Sequence, residues 1–192
     1  MEYVDPKWFR QAWQAWYPEA SPLAYELRDA YSDRWLRIHT LPDSSREPNT
    51  PAKLREVLTR LNQFATTIIG AGNRYVLLAY DYEGGYTCPK NHPLAELLRY
   101  PAAPLLRIAP EDEQSEATSI FGAADLWTPG SLDQVLTLVA RDELRAMLLN
   151  FTDGAAFAPY DGGADAIFPT WHKQQTARQK YAAWLSPHPE GL

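Results

Sequence analysis

Four carboxylates fall where short strands and turns are expected to end: Asp81, Glu83, Asp161 and Asp165. Gathered around Tyr160 they would form an alternative catalytic set. One protonated and one ionised acid can serve general acid–base work, and clustered carboxylates can hold a hard cation. Asp at a turn also accepts hydrogen bonds from nearby amides, so the residue types fit a purely local role equally well. The most distinctive string is Tyr160-Asp161-Gly162-Gly163-Ala164-Asp165. Gly162 and Gly163 permit a tight reversal, and two carboxylates fall short of the roughly 6–8 oxygens calcium takes. The string therefore reads first as a structural turn. Cys88 and His92 lie four apart, but His39, His172 and His188 are scattered singly, and structural zinc needs four ligands. No metal and no cofactor is expected. The Gly-rich phosphate loops, the Gly-x-Ser-x-Gly elbow and the His-Glu-x-x-His helix have no counterpart in the sequence.

Recognition by charge is the second chemistry. The chain has 18 basic and 24 acidic side chains, a net charge of −6. The first half is nearly balanced, with 11 basic against 12 acidic residues, while the second half holds 7 against 12. Between Ile108 and Ala140 there are six carboxylates and no Lys or Arg. Glu111, Asp112, Glu113 and Glu116 crowd into one stretch, followed by Asp125 and Asp133. Such a segment is either a solvated loop or a surface complementary to a basic partner, with Phe121 and Trp127 as candidate aromatic anchors. A nucleic-acid-acting toxin has the matching positive face, because its own substrate is a polyanion. The same acidity argues against nucleic-acid binding by this chain.

The elements that must position these groups follow from spacing. A length of 192 residues with 45% apolar side chains fits a single domain with a real core. Asp5-Pro6 opens a Trp-rich helix over residues 1–18, with Phe9, Ala12, Trp13 and Trp16 at helical spacing. Residues 23–28 and 34–40 read as short strands. In the second, Trp35, Arg37 and His39 alternate with Leu36, Ile38 and Leu41. Thr50-Pro51 starts a long amphipathic helix that ends at Gly70, and 75–82 is an interior strand. A short helix over 93–100 and a short strand over 104–108 follow. Residues 118–127 form a strand interrupted near Gly122, and Ser131 with Gln134 suits a capping box. A hairpin crosses Asp153-Gly154, and a last helix carries Trp171, Ala177, Tyr181 and Trp184 inward. The expected fold is α+β: a mainly antiparallel sheet covered by three or four amphipathic helices.

Two strings together resemble a family of small bacterial domains of unknown function. The early one is Arg34-Trp35-Leu36-Arg37-Ile38-His39-Thr40-Leu41-Pro42, and the late one runs from Tyr160 to Ile167. The family's late motif resembles Tyr-Asp-Asp-Arg-Gly-x-Asp-Val-Ile, before a helix ending in Tyr and Trp, as Tyr181 and Trp184 do here. Gly162 stands where the second acid would be and the motif's Arg is missing, which leaves the turn its geometry rather than its charge. By analogy, proteins of this kind resemble immunity proteins. The sequence thus points to a bacterial, cytoplasmic binding protein with a protein partner, a basic-faced toxin domain. The lone Cys88 fits a reducing compartment, and no apolar run reaches membrane-spanning length. A small hydrolase-like enzyme and a small-ligand or peptide sensor stand as alternatives.

Overall fold

The structure, a computed structural model, describes residues 1–42, 45–82, 95, 103–110 and 117–186. Local sequence signals start the main helices. The Asp5 carboxylate accepts the Trp8 amide at 2.8 Å, and Pro6 opens helix α1, Pro6–Trp16. Thr50 caps helix α3, Pro51–Ile69, through the Lys53 amide, and Thr170 caps α5, Trp171–Lys180, through Lys173. Helices α2, Ala24–Ala30, and α4, Asp133–Ala140, have no side chain bonded as an N-cap and depend on packing instead.

The strands are β1 Glu2–Tyr3, β2 Trp35–His39, β3 Arg74–Asp81, β4 Leu106–Ile108, β5 Thr118–Leu126, β6 Ala146–Asn150, β7 Ala155–Tyr160 and β8 Gly163–Ile167. They form one antiparallel sheet in the order β1-β5-β3-β6-β7-β8-β2, with β4 also paired to β5. Both faces are covered, which makes three layers. Leu36, Ile38, Leu77, Phe121, Leu148 and Phe157 face α3, α4 and α5. Trp35, Val76, Leu78, Ile120, Met147 and Ile167 face α1 and α2. Strands buried on both sides lose the polar–apolar alternation of a one-faced sheet, hence the unbroken apolar runs in β3 and β6. Phe64 anchors the first layer, with Phe157, Phe168 and Tyr181 edge-to-face around it at 5.1–6.4 Å. Burial of one such side chain contributes about 1.5–3 kcal/mol.

Four local expectations need correction. Residues 23–28 belong to helix α2, not to a strand. Leu27 buries against the sheet, and Glu26 reaches back to accept the Ser21 amide at 2.6 Å, securing a helix too short to hold itself. Strand β5 runs unbroken through Gly122, which pairs with Leu78 and gives Leu105 room where a side chain would stand. The Ser131–Gln134 box does not form. Asn62 on α3 takes the Gly130 amide and donates to Asp133, so a tertiary contact starts α4. Trp171 is 59% exposed, whereas Ala177 and Tyr181 of the same region are buried. The expected helix over 93–100 lies outside the described residues, Ala95 excepted. Among the described residues no helix is long and apolar enough to cross a membrane.

Candidate functional site

The β7–β8 turn brings the chemistry together. Gly162 has φ +115°, a conformation that a side chain would strain. A Cβ at Gly163 would strike the Ile38 carbonyl and the Tyr160 hydroxyl, so its absence lets Tyr160 lie across the neighbouring strand. The register then pairs Arg37 of β2 with Asp165 of β8, and Asp165 with Ala158 of β7. Alternation places Arg37, Asp165 and Tyr160 on the face that α2 covers. Arg37 donates from Nε to Asp165 Oδ1 at 2.7 Å and from Nη2 to Oδ2 at 2.9 Å. Its guanidinium also sits 5.0 Å from the Tyr160 ring centre and 5.3 Å from that of Trp35. The bond to Asp165 pushes the Arg37 pKa up despite burial. Asp165 is only 8% exposed, so this two-pronged pair replaces the water that its charge has lost.

Beside the pair lies a cavity of about 260 Å³. Tyr25 and Arg28 of α2 form one wall, and Met147, Ala158 and Tyr80 form the floor. Tyr82, Arg145 and Tyr160 close the far end. Tyr80 is fixed by donating its hydroxyl to the Pro22 carbonyl at 2.8 Å, and its ring stacks on Tyr82 at 6.3 Å. Burial raises the Tyr82 pKa, and pushes that of Tyr160 up to about 12 although Arg37 opposes it. These phenols are therefore neutral hydrogen-bond donors near pH 7. Three arginines and one aspartate line this cavity in a chain of net charge −6.

A larger, more open cavity of about 660 Å³ lies across the turn, between residues 46–51 and the C-terminal end of α4. Asp161 and Asp142 line it, and Arg46 approaches Asp161 at 3.8 Å. Asp142 has φ +61°, uncommon outside glycine, and pairs with Arg145 of the smaller cavity, so one ion pair joins the two walls.

Among the described residues, the proposed catalytic groups do not gather in one cavity. Tyr160 and Asp165 share the smaller cavity, and Asp161 faces the larger one. Asp81 alternates with Tyr75, Leu77 and Ala79, placing it on the α3 face, opposite Asp165. Glu83 lies outside the described residues. Among the described residues no three His, Cys, Asp or Glu side chains could hold a metal ion, and Cys88 and His92 lie outside them. Gly162 lies in the β7–β8 turn and Gly163 opens β8.

The partner-binding set also divides. Phe121 and Trp127 are wholly buried and cannot anchor a partner. Trp127 donates to Thr66 Oγ1 at 2.9 Å and packs edge-to-face on Tyr75. Asp125 meets the chain's amino terminus at 3.4 Å, and Asp133 accepts from Asn62 at 2.7 Å. Glu111, Asp112, Glu113 and Glu116 lie outside the described residues, in the connection between β4 and β5.

Sequence reasoning missed Arg28, Arg37, Arg145, Tyr25, Tyr80 and Tyr82. For Arg37 a signal existed. It stands on the polar side of the 34–40 alternation, inside one of the two family-like strings, and the structure makes those strings hydrogen-bonded neighbours. The other five come from α2, the β3 end and the residue before β6, which are remote in sequence. Comparison with curated proteins and with solved structures finds no match to this chain. A family model described as a domain of unknown function (DUF3885) matches residues 23–189, and the chain belongs to that family.

Proposed function

We propose that this protein works by binding a small organic ligand in the cavity between α2 and the β3–β6–β7–β8 surface. The observation that carries the reading is the convergence of three arginines and four tyrosines on one half-open cavity over the sheet. Arg37 and Asp165 neutralise each other, and the flanking phenols remain protonated at neutral pH. That arrangement favours recognition over proton transfer, which works best with a group titrating near the working pH. It develops the sensor reading but moves the site away from the Trp-rich helix, whose Phe9 and Trp13 are core.

A fragment screen by ligand-observed NMR tests the reading, run on the native chain and on Ala24→Trp, which fills the cavity from its α2 wall. Fragments should bind the native chain and lose binding in the variant. Binding indifferent to the filled cavity, or none at millimolar concentration, would overturn it.

A second reading keeps a protein partner, a basic-faced toxin domain, and with it the immunity-protein role in a bacterial cytoplasm. Its support is the pairing of Ile108 with Thr118, which makes the four-carboxylate stretch the connection of an edge hairpin. Converting Glu111, Asp112, Glu113 and Glu116 to Lys should slow association with such a partner and flatten its salt dependence. An unchanged association rate would remove the acidic stretch from that reading.

A further inference from the structure

We infer that the ligand of this cavity is a small oxyanion, a carboxylate or phosphate ester, carried on a planar ring. The inference rests on the cavity being a binding site and adds the class of molecule it selects. Charge is the first argument. Both oxygens of Asp165 already accept from Arg37, so a cationic ligand would find the cavity's lining carboxylate engaged. Arg28 and Arg145 add two further positive charges to the lining. Their own partners, Asp29 and Asp142, are exposed, with side chains 66% and 53% accessible. Exposed pairs of this kind contribute little, so an incoming oxyanion displaces only a weak partner from each arginine.

Hydrogen-bond capacity is the second argument. Arg145 precedes β6 and Tyr160 ends β7, so a guanidinium and a phenol close the same end of the cavity. The Tyr160 and Tyr82 hydroxyls are protonated near pH 7, burial raising both pKa values further, and Arg145 lies near enough to Tyr82 to act on its ionisation. This end offers donors, and an oxyanion is the ligand group that only accepts.

Shape is the third argument. A volume of about 260 Å³ equals roughly nine waters at ~30 Å³ each, enough for one ring and its acid group. Tyr82 is 53% exposed and stacked on the fixed Tyr80, so a planar body can lie against an aromatic platform above Met147 and Ala158.

Five probes decide the class, each titrated into the ¹⁵N-labelled full chain while the amide signals of Met147, Ala158 and Tyr160 are followed: benzoate, phenyl phosphate, inorganic phosphate, benzamide and benzylamine. Benzoate or phenyl phosphate should shift these amides and bind about tenfold or more tighter than benzamide. Arg145→Met, checked for an otherwise native spectrum, should weaken them by about tenfold and leave benzamide unchanged. Tyr160→Phe, which removes one hydroxyl, should show a smaller loss of the same selectivity. If benzamide or benzylamine binds as tightly as benzoate, the oxyanion assignment fails while the cavity remains a ligand site. Inorganic phosphate binding as tightly as phenyl phosphate overturns the planar body. If no probe shifts these amides, the oxyanion assignment is overturned, and the Ala24→Trp comparison then decides the binding site itself.

Discussion

Two acidic residues, Asp165 and Asp133, look alike in the sequence and do different work. Asp165 sits inside the sheet, 8% exposed, and is matched by both prongs of Arg37 from the adjoining strand. Asp133 lies at the start of α4, half-buried, where Asn62 holds it in place of a local cap. The first belongs to a wall of a cavity and the second closes a helix end. Charge counted along the chain cannot separate them, because what an ionised group does depends on what faces it once water is gone. The same contrast divides the two ends of the molecule. Around β2, β7 and β8, polar residues converge on a cavity. Around β5 and α4, Phe121 and Trp127 are spent on packing and Asp133 on a helix end.

The sharpest way to break this contrast is Trp127→Ala. A buried Trp should cost about 3–5 kcal/mol of stability in urea denaturation, whereas an exposed anchor would cost almost nothing. Asp165→Ala should come next, at about 3 kcal/mol, because it leaves Arg37 charged and poorly solvated. Pairing it with Arg37→Met should recover much of the loss, and a double mutant no better than the single would show that the charge is not the cause. Asp133→Ala should cost about 1 kcal/mol through the lost Asn62 contact, with the cavity's ligand affinity unchanged. A drop in affinity there would dissolve the division between the two ends.

The smallest effect is a pH dependence at the site end. Burial, then the nearby charges of Arg37 and Arg46, lower the His39 pKa below its usual 6.5. The unfolded chain therefore takes up this proton first. Stability from this group is complete above pH 6.5 and falls as pH drops from there through the lower folded value. His39→Gln should flatten that part of the stability–pH curve. An unchanged slope would assign it to other groups.

Much of the fold was legible because its signals are local. Capping by Asp5, Thr50 and Thr170 needs one residue and the amides three positions on, and the β6–β7 reversal needs little more than Asp153-Gly154. Helix α2 reads as a strand in the sequence because seven residues carry too little periodicity. What stabilises it, Leu27 against the sheet and Glu26 on Ser21, is tertiary or reaches outside the helix. The start of α4 was misplaced for the same reason, since Asn62 lies 71 residues from Asp133. In the site, the turn was legible and its neighbours were not. Tyr160, Gly162 and Gly163 stand together in the chain, while Arg37 meets Asp165 across 128 positions.

The amino-acid sequence by itself determined the α+β composition of the fold, most helix starts, the hairpins and the place of the tight turn. Each rests on backbone geometry and on contacts within a few residues. Only the tertiary structure decided that Phe121 and Trp127 are core, that Asp81 and Asp165 face opposite sides of the sheet, and that Arg28, Arg37 and Arg145 of an acidic protein share one cavity. Those outcomes depend on strand order and register. A side chain's face follows from its parity along a strand, but the groups opposite it follow from which strand lies alongside.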